Sequence, residues 1–258
     1  MKNKVLEVKD LSFSYPDKSI LHRLSFDVDA GDFMCIVGTN GTGKSTLLKL
    51  ILNQLSPLEG EIKLLGTNSE KYKDFASIAY VSQKATNINR DFPATVEEVV
   101  SLGLYSKKGL FKRNTKEDKK LIDSALERVG MLDYKHRQIG YLSGGQQQRV
   151  FIAKALISDP RIIFLDEPTT GIDIRAVDSI CCLLGDLNKN SGITIVMVTH
   201  DISSIIYHSN KILVLSEDGS GEVMTSEEFN SQSMLTHVHI YRRQLCSIYF
   251  KWLLCKEP

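Results

Sequence analysis

At 258 residues with 42% hydrophobic content, the chain is long enough to bury a core as one large or two small domains, and too apolar to stay disordered. Thirty-two lysines and arginines against 31 acidic residues leave a net charge of +1, so no long-range field holds nucleic acid or an anionic membrane nonspecifically, and any membrane partner has to be a protein. No apolar run approaches the roughly 18 to 20 residues that span a bilayer, Met1 to Leu6 has no signal-like apolar stretch, and five cysteines without paired metal-ligand spacing (Cys35, Cys181, Cys182, Cys246, Cys255) argue for reduced thiols, so a cytosolic chain is expected.

Residues 4 to 30 alternate apolar and polar, as in half-buried strands broken at Pro16-Asp17 and Ala30-Gly31. Phe33 to Val37 reads as a buried strand, and Cys35 within it as core. After a glycine-rich loop, Ser45 to Leu52 carries leucines at helical spacing. Glu61 to Leu65 and Ile78 to Ser82 read as further strands, while Thr95 to Leu104 and Lys116 to Val129 have helical periodicity with charged outer faces. Strands return at Arg161 to Leu165, Ile193 to Val198 and Lys211 to Leu215, separated by helical stretches, which is the pattern of an α/β sheet built from crossover units. The expected organisation is a single unit over 1–230, with a core from 1–86 and 159–230, a helical insert over about 87–158, and a helical tail over 231–258. The lysine-rich stretch Lys107 to Lys120 reads as a solvated loop and helix face.

Two segments carry chemistry on physical grounds. In Gly38-Thr39-Asn40-Gly41-Thr42-Gly43-Lys44-Ser45-Thr46 the glycines let backbone N–H groups converge and the following helix adds its positive end, which makes an anion site for phosphate. Lys44 is placed to reach the β- and γ-phosphates, and the Ser45 hydroxyl to complete the shell of a Mg²⁺ ion. The apolar strand Ile162 to Leu165 ends in two carboxylates at the carboxyl edge of the sheet, where ligands bind in open α/β folds. Strand alternation predicts that their side chains diverge, with Asp166 facing Mg²⁺ and Glu167 polarising water as general base. A third segment, Leu142-Ser143-Gly144-Gly145-Gln146, is a glycine-relieved helix start with free N–H groups and a hydroxyl, a second phosphate site.

With Gln83 between them, these segments fall in the order found in ATP-binding cassette proteins, and the chain resembles the ATP-binding subunit of an ATP-binding cassette transporter from about Val5 to Met224. That resemblance implies a P-loop, RecA-like α/β core with an N-terminal antiparallel β subdomain and an inserted helical subdomain. It implies ATP and Mg²⁺ as cofactors, and a head-to-tail homodimer in which each ATP lies between one phosphate loop and the partner's Ser143 and Gly145, with Gln146 in the same segment. It places Tyr15 against adenine, Gln83 at Mg²⁺ or water with a relay to a membrane subunit, Asp173 in a loop crossing the dimer interface, and His200 at the γ-phosphate. The partners implied are an integral membrane permease, docked through the loop after Gln83, and, for an importer, an extracytoplasmic substrate-binding protein. The site is then peripheral on the cytoplasmic face of the membrane.

The segment Asn87 to Val100 with Gly103 resembles subunits of the zinc, manganese and iron uptake branch, which implies metal-ion import. The same catalytic residues would equally serve transport of another solute, export, or a soluble cassette ATPase, although the chain has neither the second cassette nor the long coiled coil usual in the last class. In the tail, His237, His239, Cys246 and Cys255 offer zinc-type ligands, but Ile240 to Leu254 also reads as an amphipathic helix covering a sheet edge or a partner face, and that reading is preferred.

Overall fold

The computed structural model describes residues 3–83, 90, 92–105, 114–202 and 204–235. Two long strands, β1 (Lys4–Tyr15) and β2 (Lys18–Asp29), form an antiparallel hairpin turned at Pro16-Asp17. After β3 (Phe33–Val37) and helix α1 (Lys44–Ile51), strands β4 (Glu59–Leu64) and β5 (Thr67–Asn68) return to this hairpin and complete a sheet in the order β2-β1-β4-β5.

The second sheet joins β3 to β6 (Ile78–Val81), β7 (Ile162–Asp166), β8 (Thr194–Val198), β9 (Lys211–Leu215) and β10 (Gly221–Thr225), in the order β10-β9-β3-β8-β7-β6. All pairings are parallel except that of β10 with β9. Parallel strands need crossover connections. These are supplied by α1, by α2 (Val96–Ser101), α3 (Lys116–Arg128) and α4 (Gly144–Leu156) between β6 and β7, and by α5 (Ile174–Ser191) between β7 and β8.

The central strands are apolar on both faces, and their pleat divides the interior in two. Phe33, Cys35, Val37, Ile163, Leu165, Ile195 and Met197 point into a core shared with α2, α3, α4 and α5. Their neighbours Met34, Ile36, Ile162, Phe164, Val196 and Val198 point the other way, into a core shared with α1 and the antiparallel sheet. Each such fully buried large side chain contributes roughly 1.5–3 kcal/mol. The inserted helices therefore bury their apolar stripes against the sheet and α5 in one continuous core.

Three of these helices start the same way. Thr95 with Glu98, Thr115 with Asp118, and Ser143 with Gln146 form reciprocal capping boxes, in which each N-cap hydroxyl accepts from the N3 amide and each N3 side chain accepts from the N-cap amide. A cap of this kind is worth about 1 kcal/mol.

At the amino ends of the parallel strands, Lys211 ties the two sheets together: its Nζ lies 2.8 Å from Asp32 Oδ2 and 3.1 Å from Asp29 Oδ2. Burial alone would raise the Asp32 carboxyl, but the Lys211 and Asn210 hydrogen bonds outweigh it and hold the group below its ordinary 3.8. Burial likewise opposes the Lys211 charge, and the two aspartates reverse that and raise it.

Several expectations are refined. The first insert helix ends at Ser101 and tightens into a 3-10 turn over Leu102–Leu104 instead of continuing as α-helix. Helix α6 (Ser226–Leu235) crosses the expected start of the tail at 231. The rest of the tail, with His237, His239, Cys246 and Cys255, lies outside the described residues, as do 84–89 and 91 after Gln83 and 107–113 of the lysine-rich stretch. Lys116, Lys119 and Lys120 are solvent-exposed on α3, as the charge run predicts. Among the described residues no helix is long and apolar enough to cross a membrane, and no cluster of three metal-ligating side chains occurs.

Candidate active site

Because β3, β8, β7 and β6 are adjacent and parallel, the segments that follow them emerge side by side at one sheet edge. These are the Gly38–Thr46 loop after β3, His200 after β8, Asp166-Glu167 at the end of β7, and Gln83 after β6. Topology brings together groups that lie up to 162 positions apart in sequence, Gly38 to His200.

In the loop, Gly43 takes φ +95 as the N-cap of α1, a left-handed conformation that favours glycine. Gly38 sits so close to β9 that a Cβ there would lie 2.7 Å from the Leu215 carbonyl oxygen. Asn40 is exposed and Thr46 half-buried on the first turn of α1. Lys44 is 5% exposed, and its Nζ donates to the carbonyls of Gly38 and Thr39, each at 2.8 Å. Burial lowers its pKa from the ordinary value against the pull of Glu167 and Asp166.

The tip of the β1–β2 hairpin leans on this loop. Lys18 pairs with Tyr15 and lies beside Gly41, and Tyr15, 40% exposed, stacks edge-on against Phe13 with ring centroids 5.0 Å apart.

Asp166 is buried, with Ser45 Oγ 3.3 Å from Oδ1 and the Tyr80 hydroxyl 3.4 Å from Oδ2. Burial raises its pKa from 3.8, the Glu167 charge adds to that, and the Ser45 and Tyr80 hydrogen bonds oppose it. Glu167 does diverge from Asp166, but the pleat is not the cause. The strand ends at Asp166, and Glu167 takes φ +45, so a left-handed turn sets its direction. A non-glycine residue in that region is uncommon and costs conformational energy, a feature of functional sites. Its Oε2 accepts from Gln83 Nε2 and from Thr170 Oγ1, both at 3.0 Å, and His200 Nδ1 lies 3.5 Å away.

The structure thus gathers Lys44, Ser45, Gln83, Asp166, Glu167 and His200 at one edge. It does not bring Ser143, Gly145 or Gln146 to them, since these begin α4, which packs on α2, α3 and α5. Ser143 and Gly144 are exposed at that tip, whereas the Gln146 side chain is spent on capping. Gly145 is buried, and a Cβ there would lie 2.7 Å from Ala176 Cβ on α5, so packing within its own chain already requires glycine. Asp173 is the N-cap of α5, its carboxylate accepting from Ala176 N at 3.0 Å.

Sequence reasoning missed Thr170 and Tyr80. A hydroxyl three residues after Glu167 was the available signal for Thr170, whereas Tyr80 is placed by the pairing of β6 with β7, opposite Phe164, which the sequence does not carry.

The groups at Asp166 are oxygen only, its carboxylate and the Ser45 hydroxyl, which suits a hard divalent cation such as Mg²⁺ better than zinc. The Gly38–Thr46 loop offers amides and an ammonium to phosphate, and Glu167 is a held carboxylate at hydrogen-bonding distance from an amide and a hydroxyl.

Comparison with known proteins agrees with this reading. The ABC transporter family profile matches residues 21–170. The chain is 47% identical over 222 residues to the zinc uptake system ATP-binding protein ZurA of Listeria innocua, covering 84% of this chain and 86% of the relative. It is 40% identical over 211 residues to the manganese transport system ATP-binding protein MntB of Bacillus subtilis, covering 81% and 82%. Among solved structures, cbiO1 of Clostridium perfringens, part of the ABC transporter complex cbiONQ, superposes with a TM-score of 0.80 at 30% identity, over 96% of this chain and 98% of that one. A dimeric ATP-binding cassette in a post-hydrolysis state with ADP and Pi superposes with a TM-score of 0.72 at 28% identity, over 86% and 98%. With a nucleotide-type phosphate loop, two carboxylates at the sheet edge and these relatives, the chain belongs to the ABC transporter family as an ATP-binding, ATP-hydrolysing cassette.

Proposed function

We propose that this cassette powers import of a divalent transition metal, zinc or manganese, through a separate membrane permease. Its likeness to zinc and manganese uptake ATP-binding subunits at 40–47% identity supports the cargo. The observation that carries the catalytic reading is Glu167 Oε2 held at 3.0 Å by both Gln83 and Thr170. Fixing that oxygen fixes where the other one points, and a general base has to be aimed within hydrogen-bond reach of its proton.

In this reading Lys44 and the loop amides hold the β- and γ-phosphates, and Tyr15 stacks on adenine. Ser45, Asp166 and Gln83 would hold Mg²⁺, which would draw charge off the phosphate oxygens. Glu167 takes a proton from the attacking water at its carboxylate, and His200 donates toward the γ-phosphate. Phosphoryl transfer asks little else of a protein than such positioning and charge neutralisation.

Ser143 and Gly144 stand exposed at the tip of α4, remote from the loop of their own chain, so the second phosphate site is completed by a second copy arranged head to tail. Gly145, Gln146 and Asp173 then shape that tip and the crossing loop from behind. Residues 1–230 act as one ATPase unit with its insert at about 87–158, and the tail beyond 231 is accessory. The assembly sits on the cytoplasmic face of the membrane with the permease, and a substrate-binding protein delivers metal on the other side.

Cellular uptake of radioactive zinc and manganese tests the proposal. Uptake that requires this chain and disappears in Lys44→Ala supports it; uptake of an unrelated solute instead refutes the cargo while leaving the ATPase standing.

A further inference from the structure

Tyr80 lies on edge strand β6, three residues before Gln83, and faces the same side of the sheet as Asp166 because its partner in register is Phe164. The residue is 40% exposed at this edge of the sheet and borders a cleft of about 270 Å³ that Phe75, Leu102 and Phe151 also line. Yet its hydroxyl turns inward, to 3.4 Å from Asp166 Oδ2. The carboxylate is therefore shared: Ser45 Oγ sits at Oδ1, at 3.3 Å, and Tyr80 at Oδ2. A buried carboxylate with one oxygen unrestrained can rotate about its Cβ–Cγ bond, and rotation moves the oxygens that would meet a cation.

We propose that Tyr80 is a positioning residue for the divalent cation: by donating to Asp166 Oδ2 it fixes the carboxylate plane, so that Oδ1 and the Ser45 hydroxyl are presented together. This rests on the Mg²⁺ reading of Ser45 and Asp166 given above. Partners that orient a metal-binding carboxylate contribute measurably to metal affinity without touching the ion. A long neutral donor such as this one is worth a modest factor, roughly 3- to 10-fold.

The test uses the full chain as Tyr80→Phe, which keeps the ring and removes only the hydroxyl. Mn²⁺ serves as the spectroscopic stand-in for Mg²⁺, and its binding in the presence of a non-hydrolysable ATP analogue is followed by electron paramagnetic resonance. Tyr80→Phe is expected to weaken Mn²⁺ binding by roughly 3- to 10-fold. Binding of a fluorescent ATP analogue in chelator should stay within twofold of the unmodified chain, and the Mg²⁺ concentration for half-maximal phosphate release should rise more than the rate at saturating Mg²⁺ falls. Ser45→Ala and Asp166→Asn are titrated beside it. If those two weaken Mn²⁺ binding and Tyr80→Phe does not, the role of Tyr80 is overturned. If none of the three does, the metal reading of the site fails as well. Equal losses of metal-dependent and metal-free nucleotide binding in Tyr80→Phe also overturn the proposal, because they mark a general packing defect.

Discussion

Gly145→Ala separates two reasons for a glycine at the tip of α4. The added Cβ would stand 2.7 Å from Ala176 Cβ, about 1 Å inside the ordinary carbon contact of roughly 3.5–4.0 Å. Both atoms belong to the first turns of well-capped helices, so relief requires α4 and α5 to part by about that much. Overpacking of this kind costs about 1–3 kcal/mol, and each kcal/mol lowers the melting temperature of a chain this size by roughly 2–4 °C. The same displacement moves Ser143, and a 1 Å misplacement costs catalysis on the order of 10²-fold. Phosphate release under saturating Mg-ATP and thermal melting are the assays, run on Gly145→Ala and on Gly145→Ala combined with Ala176→Gly. The second change removes the obstructing methyl at a helix-propensity cost of about 1 kcal/mol, and it should restore most of the lost activity. A double variant as inactive as the single would refute the packing argument and assign Gly145 to direct nucleotide contact.

Glu167→Gln should bind ATP as the unmodified chain does while phosphate release falls on the order of 10²–10⁴-fold, and light scattering should show dimers accumulating in Mg-ATP; normal turnover would remove Glu167 from the role of base. Lys211→Met leaves Asp29 and Asp32 facing each other at 10% side-chain exposure without their ammonium, and urea unfolding at neutral pH should show a loss of about 3 kcal/mol. The Asp32 carboxyl is depressed in the fold below its ordinary 3.8, so its stabilising share is complete above that value and vanishes as pH falls through the folded one. The gap between Lys211→Met and the parent should accordingly narrow on acidification below about pH 4; a gap that stays constant would show that the aspartates are not its source.

Much of this architecture was legible because it is local. The order strand, glycine loop, helix is written in Phe33 to Leu52, and capping signatures such as Thr95-x-x-Glu98 and Ser143-x-x-Gln146 sit immediately before helices that the structure contains. The candidate site residues were nameable for the same reason, as each stands at a strand end or a helix start. What the sequence could not show depends on tertiary approach. The Gln83–Glu167 hydrogen bond spans 84 residues. Gly145 needs α5 in place before its packing reason exists, and Glu167 leaves the pleat through a left-handed turn, φ +45, that its residue type does not announce. Strands β5 and β10 were unforeseen because β5 is two residues long and β10 has a single buried residue, Met224.

The two-sided burial of the central strands leaves a problem of alignment that hydrophobicity cannot solve. Ile162-Ile163-Phe164-Leu165 would satisfy either interior if β7 slid by one residue. Its acidic terminus would not: Asp166 would exchange the Ser45 and Tyr80 hydroxyls for the helical interior on the opposite face, where an unpaired carboxylate costs several kcal/mol. The carboxylates therefore act as an address label for the strand. A substitution at Asp166 chosen to silence hydrolysis would also loosen the lock that keeps β7 in step with its neighbours.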